Sequence, residues 1–109
     1  MNKVIIWGKV TKNAEKVQIA TSQEQTSFVS FNVVDLGKPY QNQNTENLEI
    51  EVNFQKEAAF HIYEFLVKDK EVYIDGCLRM KTVKNQRGQS WKKYYVAADY
   101  VGLIPLEKK

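Results

Sequence analysis

Residues 70 to 101, KEVYIDGCLRMKTVKNQRGQSWKKYYVAADYV, limit the fold more than any other stretch, because they read as one long two-stranded hairpin. Val72, Ile74, Leu78 and Met80 fall on one parity, and Tyr73, Arg79, Lys81 and Val83 fall on the other. That period of two is the mark of a half-buried strand. NQRGQ supplies the turn, after which Tyr94, Val96, Ala98 and Tyr100 alternate with Trp91, Lys93, Tyr95 and Ala97. One face of the hairpin is therefore expected in the core, and the other carries Arg79, Lys81, Trp91, Lys93 and Tyr95. From Gly76 to Val96 there are six Lys or Arg and no acid, +6 against a whole-chain +3, so the remainder sums to −3. Such a run has two readings, a plain solvated face or a surface for nucleic acid. The interleaved rings favour the second, since cations neutralise phosphates and flat rings stack on bases.

With 109 residues, 43% of them hydrophobic, the chain suffices for one core, expected as a single domain over residues 1–105 with a short loose tail at 106–109. No apolar run approaches the roughly 18 residues of a membrane span, and MNKVIIWGKV lacks the apolar length and cleavage-like site of a signal peptide. These features lead to the expectation of a soluble cytoplasmic protein without a membrane partner. The one cysteine, Cys77, lies inside a strand and reads as a small packed side chain. The one histidine, His61, has no second His or Cys at ligand spacing, so no metal or cofactor is implied. Catalysis lacks support as well, for no nucleophile–base pair, paired acid set or phosphate-cradling glycine loop is visible.

Asn2 to Lys12 alternates around Gly8, with Val4, Ile6 and Val10 opposite Lys3, Ile5, Trp7 and Lys9, as a first strand with a bend or bulge at the glycine. KVQIA, residues 16–20, continues in the same manner and fits a single strand bent round a corner. Ser27 to Asp35 forms a second strand in which Phe28, Val29, Phe31, Val33 and Val34 are expected to be buried. Leu36 to Glu46 is polar and aperiodic, an expected exposed excursion containing Lys38 and Tyr40. Leu48, Ile50, Val52 and Phe54 alternate with Glu49, Glu51 and Asn53 in a third strand with an acidic outer face. The period then changes: Ala58, Ile62, Phe65 and Leu66 make the stripe of an amphipathic helix reaching about Val67. Three strands, a helix and two strands, the first strand long and bent, match an all-β fold with one helix. This is the five-stranded oligonucleotide/oligosaccharide-binding (OB) barrel, with its helix between strands 3 and 4.

Particular residues add a family to this order. MNKVIIWGKV resembles the NKVILxGxL opening of bacterial single-stranded DNA-binding proteins, and VYIDG at 72–76, with LRMK and then Gly88-Gln89, resembles their VxIEGxLRTR…GQ segment. FQKEAAFHIYEFLVKDKEVYIDG is similar to the family's helix-to-strand passage. The resemblance spans nearly the whole chain and keeps its spacing. It implies an OB barrel, sequence-tolerant binding of single-stranded DNA in replication, recombination or repair, and assembly into dimers or tetramers. Where family members stack bases on tryptophans, this chain has Tyr40, Leu48 or Glu49, and Val83. The family's acidic C-terminal tail has no counterpart in Glu107-Lys108-Lys109, which suggests a short form, of the kind a phage, plasmid or other mobile element would carry.

The candidate nucleic-acid residues are thus Arg79, Lys81, Lys84, Arg87, Trp91, Lys93 and Tyr95 of the hairpin, with Lys3, Lys38, Tyr40 and Tyr73. Trp91 reads either as a stacking ring or as a hydrophobic cap folded over the turn. Trp7 reads either as a replacement platform or, with Ile5, as a homo-oligomer interface. Two functions compete. One is single-stranded DNA binding by the protein alone. The other is a protein-interaction module on the same barrel, similar to short dimeric primosomal proteins, in which the Glu49 and Glu51 face binds a helicase, primase or other replication protein and the hairpin touches DNA weakly.

Overall fold

The structure, a computed structural model, describes residues 2–20, 25–37 and 46–105. Six strand segments form its sheet: β1 (Val4–Val10), β2 (Glu15–Ala20), β3 (Gln25–Asp35), β4 (Glu49–Phe54), β5 (Glu71–Lys84) and β6 (Ser90–Leu103). Between β4 and β5 lie a short helix α1 (Ala58–Ile62) and one 3-10 turn (Tyr63–Phe65). The hydrogen-bonded order β1-β5-β6-β4-β3, with β3 pairing back to β1, closes a ring of five strands, while β2 extends along β3. This is the OB barrel that the element order predicts.

The closure depends on the bent first strand. Val10, Lys9 and Gly8 pair with Val33, Val34 and Asp35, and β2 pairs with Gln25 to Ser30 farther along the same strand. β1 and β2 are therefore one path turned at Thr11–Ala14, as expected. Gly8 marks no bulge; it faces Asp35 on one side and Val72 on the other. A Cβ there would lie 2.9 Å from the Val34 carbonyl oxygen, so the glycine permits the seam to close. Ile6, Val10, Val29, Phe31, Val52, Phe54, Ile74 and Val96 fill the interior, each large side chain stabilising the fold by about 1.5–3 kcal/mol on burial.

The helix is shorter than the sequence pattern predicts, and its buried stripe is displaced. Ala59 and Leu66 are buried and Ile62 and Tyr63 half-buried, whereas Ala58 and Phe65 are exposed. The spacing 59, 62, 63, 66 is itself helical. After Phe65 the chain instead bonds to the β1–β2 corner: Ala14 N–H donates to Leu66 O at 2.8 Å, and Val10 N–H to Lys70 O at 2.8 Å. Those bonds tie the segment across the end of the barrel and stop the helix.

The hairpin has the expected pairing but not the expected burial. Asp75 faces Tyr100 while Gly76 faces Ala98, so Asp99 is an extra residue and β6 reverses its parity there. Val96 and Ala98 are buried before this bulge, Val101 after it, and Tyr100 leaves the core side. Leu78, Met80 and Tyr94 are also exposed, Tyr94 at 59%, because they lie beyond the barrel. β1 accompanies β5 only from Glu71 to Gly76, and β4 accompanies β6 only from Tyr95 to Ala98. Past these limits the two strands have only each other, and form a projecting arm. Phe28, Val34 and Leu48 likewise differ from expectation: the first two are half-buried on the outer parity of β3, and Leu48 is exposed ahead of β4.

Gly76 sits where arm and barrel meet. A Cβ on it would collide with the Ala97 carbonyl oxygen and lie 2.9 Å from Ala98 Cα, both backbone atoms. Gly76→Ala should therefore destabilise the domain by about 1–3 kcal/mol, the usual cost of overpacking, as read from urea denaturation. An unchanged midpoint would show that the bulge can shift to make room.

Candidate nucleic-acid interface

The outer face of the arm is built from cross-strand pairs: Arg79 opposite Tyr95, Lys81 opposite Lys93, and Val83 opposite Trp91. Of the hairpin residues singled out from the sequence, Arg79, Lys81, Trp91, Lys93 and Tyr95 thus share one surface, whereas Lys84, opposite Ser90, has the other parity and Arg87 lies in the turn. Trp91 is 49% exposed, so its ring is presented to solvent rather than buried over the turn. Toward the barrel the face runs into a groove. Two adjoining depressions, of about 410 and 530 Å³, share Asn53, Gln55, Arg79 and Ala97 as lining. Ile19, Phe28, Lys81 and Tyr95 line the first, and Thr26, Ser27 and Cys77 the second. Asn53 Oδ1 is buried there without a hydrogen-bond partner.

Lys81 and Lys93 face each other directly across the hairpin, and like charges so placed repel. The neighbouring strand resolves this. Glu51 stands beside Tyr95 on β4, and its carboxylate reaches both ammonium groups, Oε2 at 2.5 Å from Lys81 Nζ and Oε1 at 3.2 Å from Lys93 Nζ. Its side chain is only 13% exposed, against 38% and 46% for the lysines. Burial by itself would raise the carboxyl's pKa, but the hydrogen bonds and charges of Lys81 and Lys93 outweigh that and hold it below the usual glutamate value. Lys81 Nζ also lies 5.3 Å from the Tyr95 ring centroid, a cation–π distance. The group of three charges is an ordered cluster of net +1.

The tip is organised by Asn85. Its Oδ1 accepts from the backbone N–H of Arg87 at 2.9 Å and of Gln89 at 3.0 Å, and its Nδ2 donates to Gln89 Oε1 at 2.8 Å. Gly88 adopts φ +79°, the left-handed region in which a side chain is strained. Lys84 and Arg87 are exposed on either side of this turn.

Lys3 and Tyr73 lie elsewhere. Lys3 pairs with Asp75 at 3.3 Å, and Tyr73 tilts against Tyr100 with ring centroids 6.5 Å apart. Tyr73 also faces Trp7 in the β1–β5 register, and Trp7 Nε1 donates to Glu71 Oε1 at 3.3 Å. With Ile5 and the 57%-exposed Trp7 they make a second, apolar surface on β1, β5 and β6. Tyr73 is six residues from Arg79, about 20 Å along an extended strand. Lys38, Tyr40 and the tail at 106–109 fall outside the described residues. Sequence reasoning missed Ile19, Phe28, Asn53 and Gln55 in the groove. Phe28 was legible in principle, because it has the opposite parity from Val29, Phe31 and Val33.

A closed barrel with a basic, aromatic arm and a groove at its root defines an oligonucleotide-binding module. Residues 1–104 match the model of the single-strand binding protein family, and the chain belongs to that family, whose members are DNA-binding proteins and not enzymes. Its fold is similar to that of a Plasmodium falciparum SSB solved in complex with ssDNA, with a TM-score of 0.77, 13% identity and 96% of each chain covered. It is also similar to the small single-stranded DNA-binding protein from Streptomyces coelicolor, with a TM-score of 0.69, 16% identity, and 94% of this chain and 93% of that one covered. Among curated proteins no match is found. Among the described residues there is no group of three His, Cys, Asp or Glu able to hold a metal, and no helix is long and apolar enough to cross a membrane.

The lowered pKa of Glu51 fixes the sign of a pH effect. Its contribution to stability should be complete above the usual glutamate value and fade as pH falls through the lowered folded-state value. The denaturation gap between wild type and Glu51→Gln should accordingly be flat near neutrality and close in acid. Solvent screening of the two half-exposed lysines keeps the gap small. A gap independent of pH would mean that the carboxylate's charge contributes nothing.

Proposed function

We propose that this chain binds single-stranded DNA without reading its sequence, by laying the strand along the outer face of the β5–β6 arm and into the groove on β3 and β4. The observation that carries this reading is the register that puts Arg79, Lys81 and Lys93 on one surface with the rings of Tyr95 and Trp91. Cations follow the phosphates, and exposed rings stack on bases of any identity. Arg87 extends the basic track to the tip, while Lys84 lies on the opposite face of the ribbon, and Phe28 offers a further ring at the other end. Family membership and the ssDNA complex of the Plasmodium protein support the same reading. On this reading we assign the chain a role in replication, recombination or repair, with single-stranded DNA as its partner and no chemistry of its own.

The alternative, an acidic strand that docks a helicase or primase, has less support at one of its two glutamates. Glu51 is engaged by two lysines, and Glu49 accepts from Thr11 Oγ1 at 3.4 Å. That leaves Glu49 as the exposed acid of the pair on β4, with Glu51 answered by the lysines.

The test is a titration of labelled oligo-dT and of a duplex of equal length at moderate salt. Single strands should bind more tightly, since stacking needs unpaired bases. Trp91→Ala should lose about 1–3 kcal/mol of that binding and leave the urea midpoint nearly unchanged, because a half-exposed ring lacks the roughly 3–5 kcal/mol folding contribution of a buried one. Equal affinity for both forms would reduce the arm to a nonspecific basic patch. Wild-type binding by Trp91→Ala would remove that residue from the interface.

We further propose that Ile5, Trp7, Tyr73 and Tyr100 bury their apolar surface against a second copy of the chain, since a two-fold axis would bring the same patch together from both sides. Sedimentation at micromolar concentration should show a dimer or larger, shifted toward monomer in Trp7→Glu. A wild-type monomer would contradict the assembly.

A further inference from the structure

Glu51 holds the place in the basic face where repulsion is strongest, and the reading of single-stranded DNA binding gives that position a consequence. Its two carboxylate oxygens are divided between Lys81 and Lys93, one to each. A phosphodiester presents the same arrangement, two anionic oxygens on one centre. The carboxylate side chain, reaching across from the neighbouring strand, is 13% exposed, while the two lysine side chains are more open to solvent, at 38% and 46%. A strand approaching the arm therefore meets two lysines that are already held together by one carboxylate.

We propose that Glu51 is an internal counter-anion that stands in for a backbone phosphate, preorganising Lys81 and Lys93 and being displaced from them, in whole or part, when a strand binds. Preorganisation and competition act in opposite directions. Without an anion between them the lysines would repel each other and splay, so the cradle would have to be reassembled at each encounter. With it, the pair offers the strand a net charge of +1 rather than +2. At an exposed groove the second effect is the larger, because long lysine side chains in water reorient at little cost while an adjacent unit charge continues to repel phosphate. Glu51 thus acts as an attenuator. It keeps the arm's affinity for phosphate below what its six cations would give, and leaves a greater share of binding to the stacked rings.

Glu51→Gln keeps the shape and removes the charge. It should bind oligo-dT more tightly, by about fivefold, the order expected for one unit charge about 4 Å away with full water screening. Its slope of log affinity on log salt should be steeper by roughly 0.7, one further phosphate contact on a single strand. Glu51→Thr, which suits a strand and also lacks the charge, provides the same comparison if the glutamine variant folds poorly. Glu49→Gln makes the same change in net charge one pleat away without touching either lysine, and should shift both quantities less. A parallel titration with inorganic tripolyphosphate, followed by the NMR signals of the lysine side chains, separates this proposal from the reading it rests on. If wild type ignores oligo-dT but Glu51→Gln gains affinity for tripolyphosphate, the DNA reading fails and the counter-anion stands. Folded Glu51→Gln and Glu51→Thr that bind both probes no better than wild type would overturn the proposal, and weaker binding by both would show that Glu51 acts only to position the lysines.

Discussion

Closure of the five-stranded ring is the constraint from which the rest of the molecule follows. β1 must pair with β5 from Val4 to Lys9 and with β3 through its last three residues, Gly8 to Val10, which requires a strand that bends and a glycine at the seam. β4 and β6 must then meet in parallel, over only four residue pairs. A parallel pair needs a crossover between its members, and here the helical segment and the whole of β5 supply it. Closure removes the free edges within the ring, and those that remain are on β2 and along the parts of β5 and β6 that run past it.

The arm is what remains after this accounting. β5 and β6 have 14 residues each, far more than their partners in the ring can accompany. The excess must project, and a projecting two-stranded ribbon has two exposed faces. That explains why Leu78, Met80 and Tyr94 are uncovered although their parity is that of the core. It also explains how one short stretch can collect six cations: away from the barrel, each lysine or arginine keeps its hydration, and the cost of burying charge never arises.

Much of this was legible from the sequence, for definite reasons. Strand parity in β1, β4 and β5 is a local property, so Ile6, Val52, Phe54, Val72 and Ile74 could be assigned to the core by counting alone. Cross-strand partners near the turn follow from the turn's position, which is why Arg79, Lys81, Lys93, Tyr95 and Trp91 could be grouped. The failures share a cause. The bulge at Asp99, the short helix and the end of burial at Cys77 are each set by partners distant in sequence: Gly76 against Ala98, Leu66 against Ala14, and the limits of β1 and β4. A period of two persists along the arm whether or not anything covers it, so the pattern could not show where the core stops.

Glu51 shows the same limit in the chemistry of the site. Read along its own strand, it is an acid beside Glu49 on an outward face, and acids repel phosphate. Read across three strands, it answers a conflict that β5 and β6 create together, two lysines opposed in one register. Neither lysine is near it in the chain; 30 residues separate Glu51 from Lys81. The charge of a surface is therefore poorly given by the sum over a segment. The hairpin's +6 is real, but two of those charges are already answered by a third strand, and two more, Lys84 and Lys92, lie on the opposite face of the ribbon with Met80 and Tyr94, which leaves Arg79, toward the groove, and Arg87, in the turn. A strand following the outer face would thus meet its unattenuated phosphate attraction at Arg79 and Arg87, near the two ends, with the Lys81–Lys93 pair and the ring of Trp91 between them, where stacking rather than charge has to hold it.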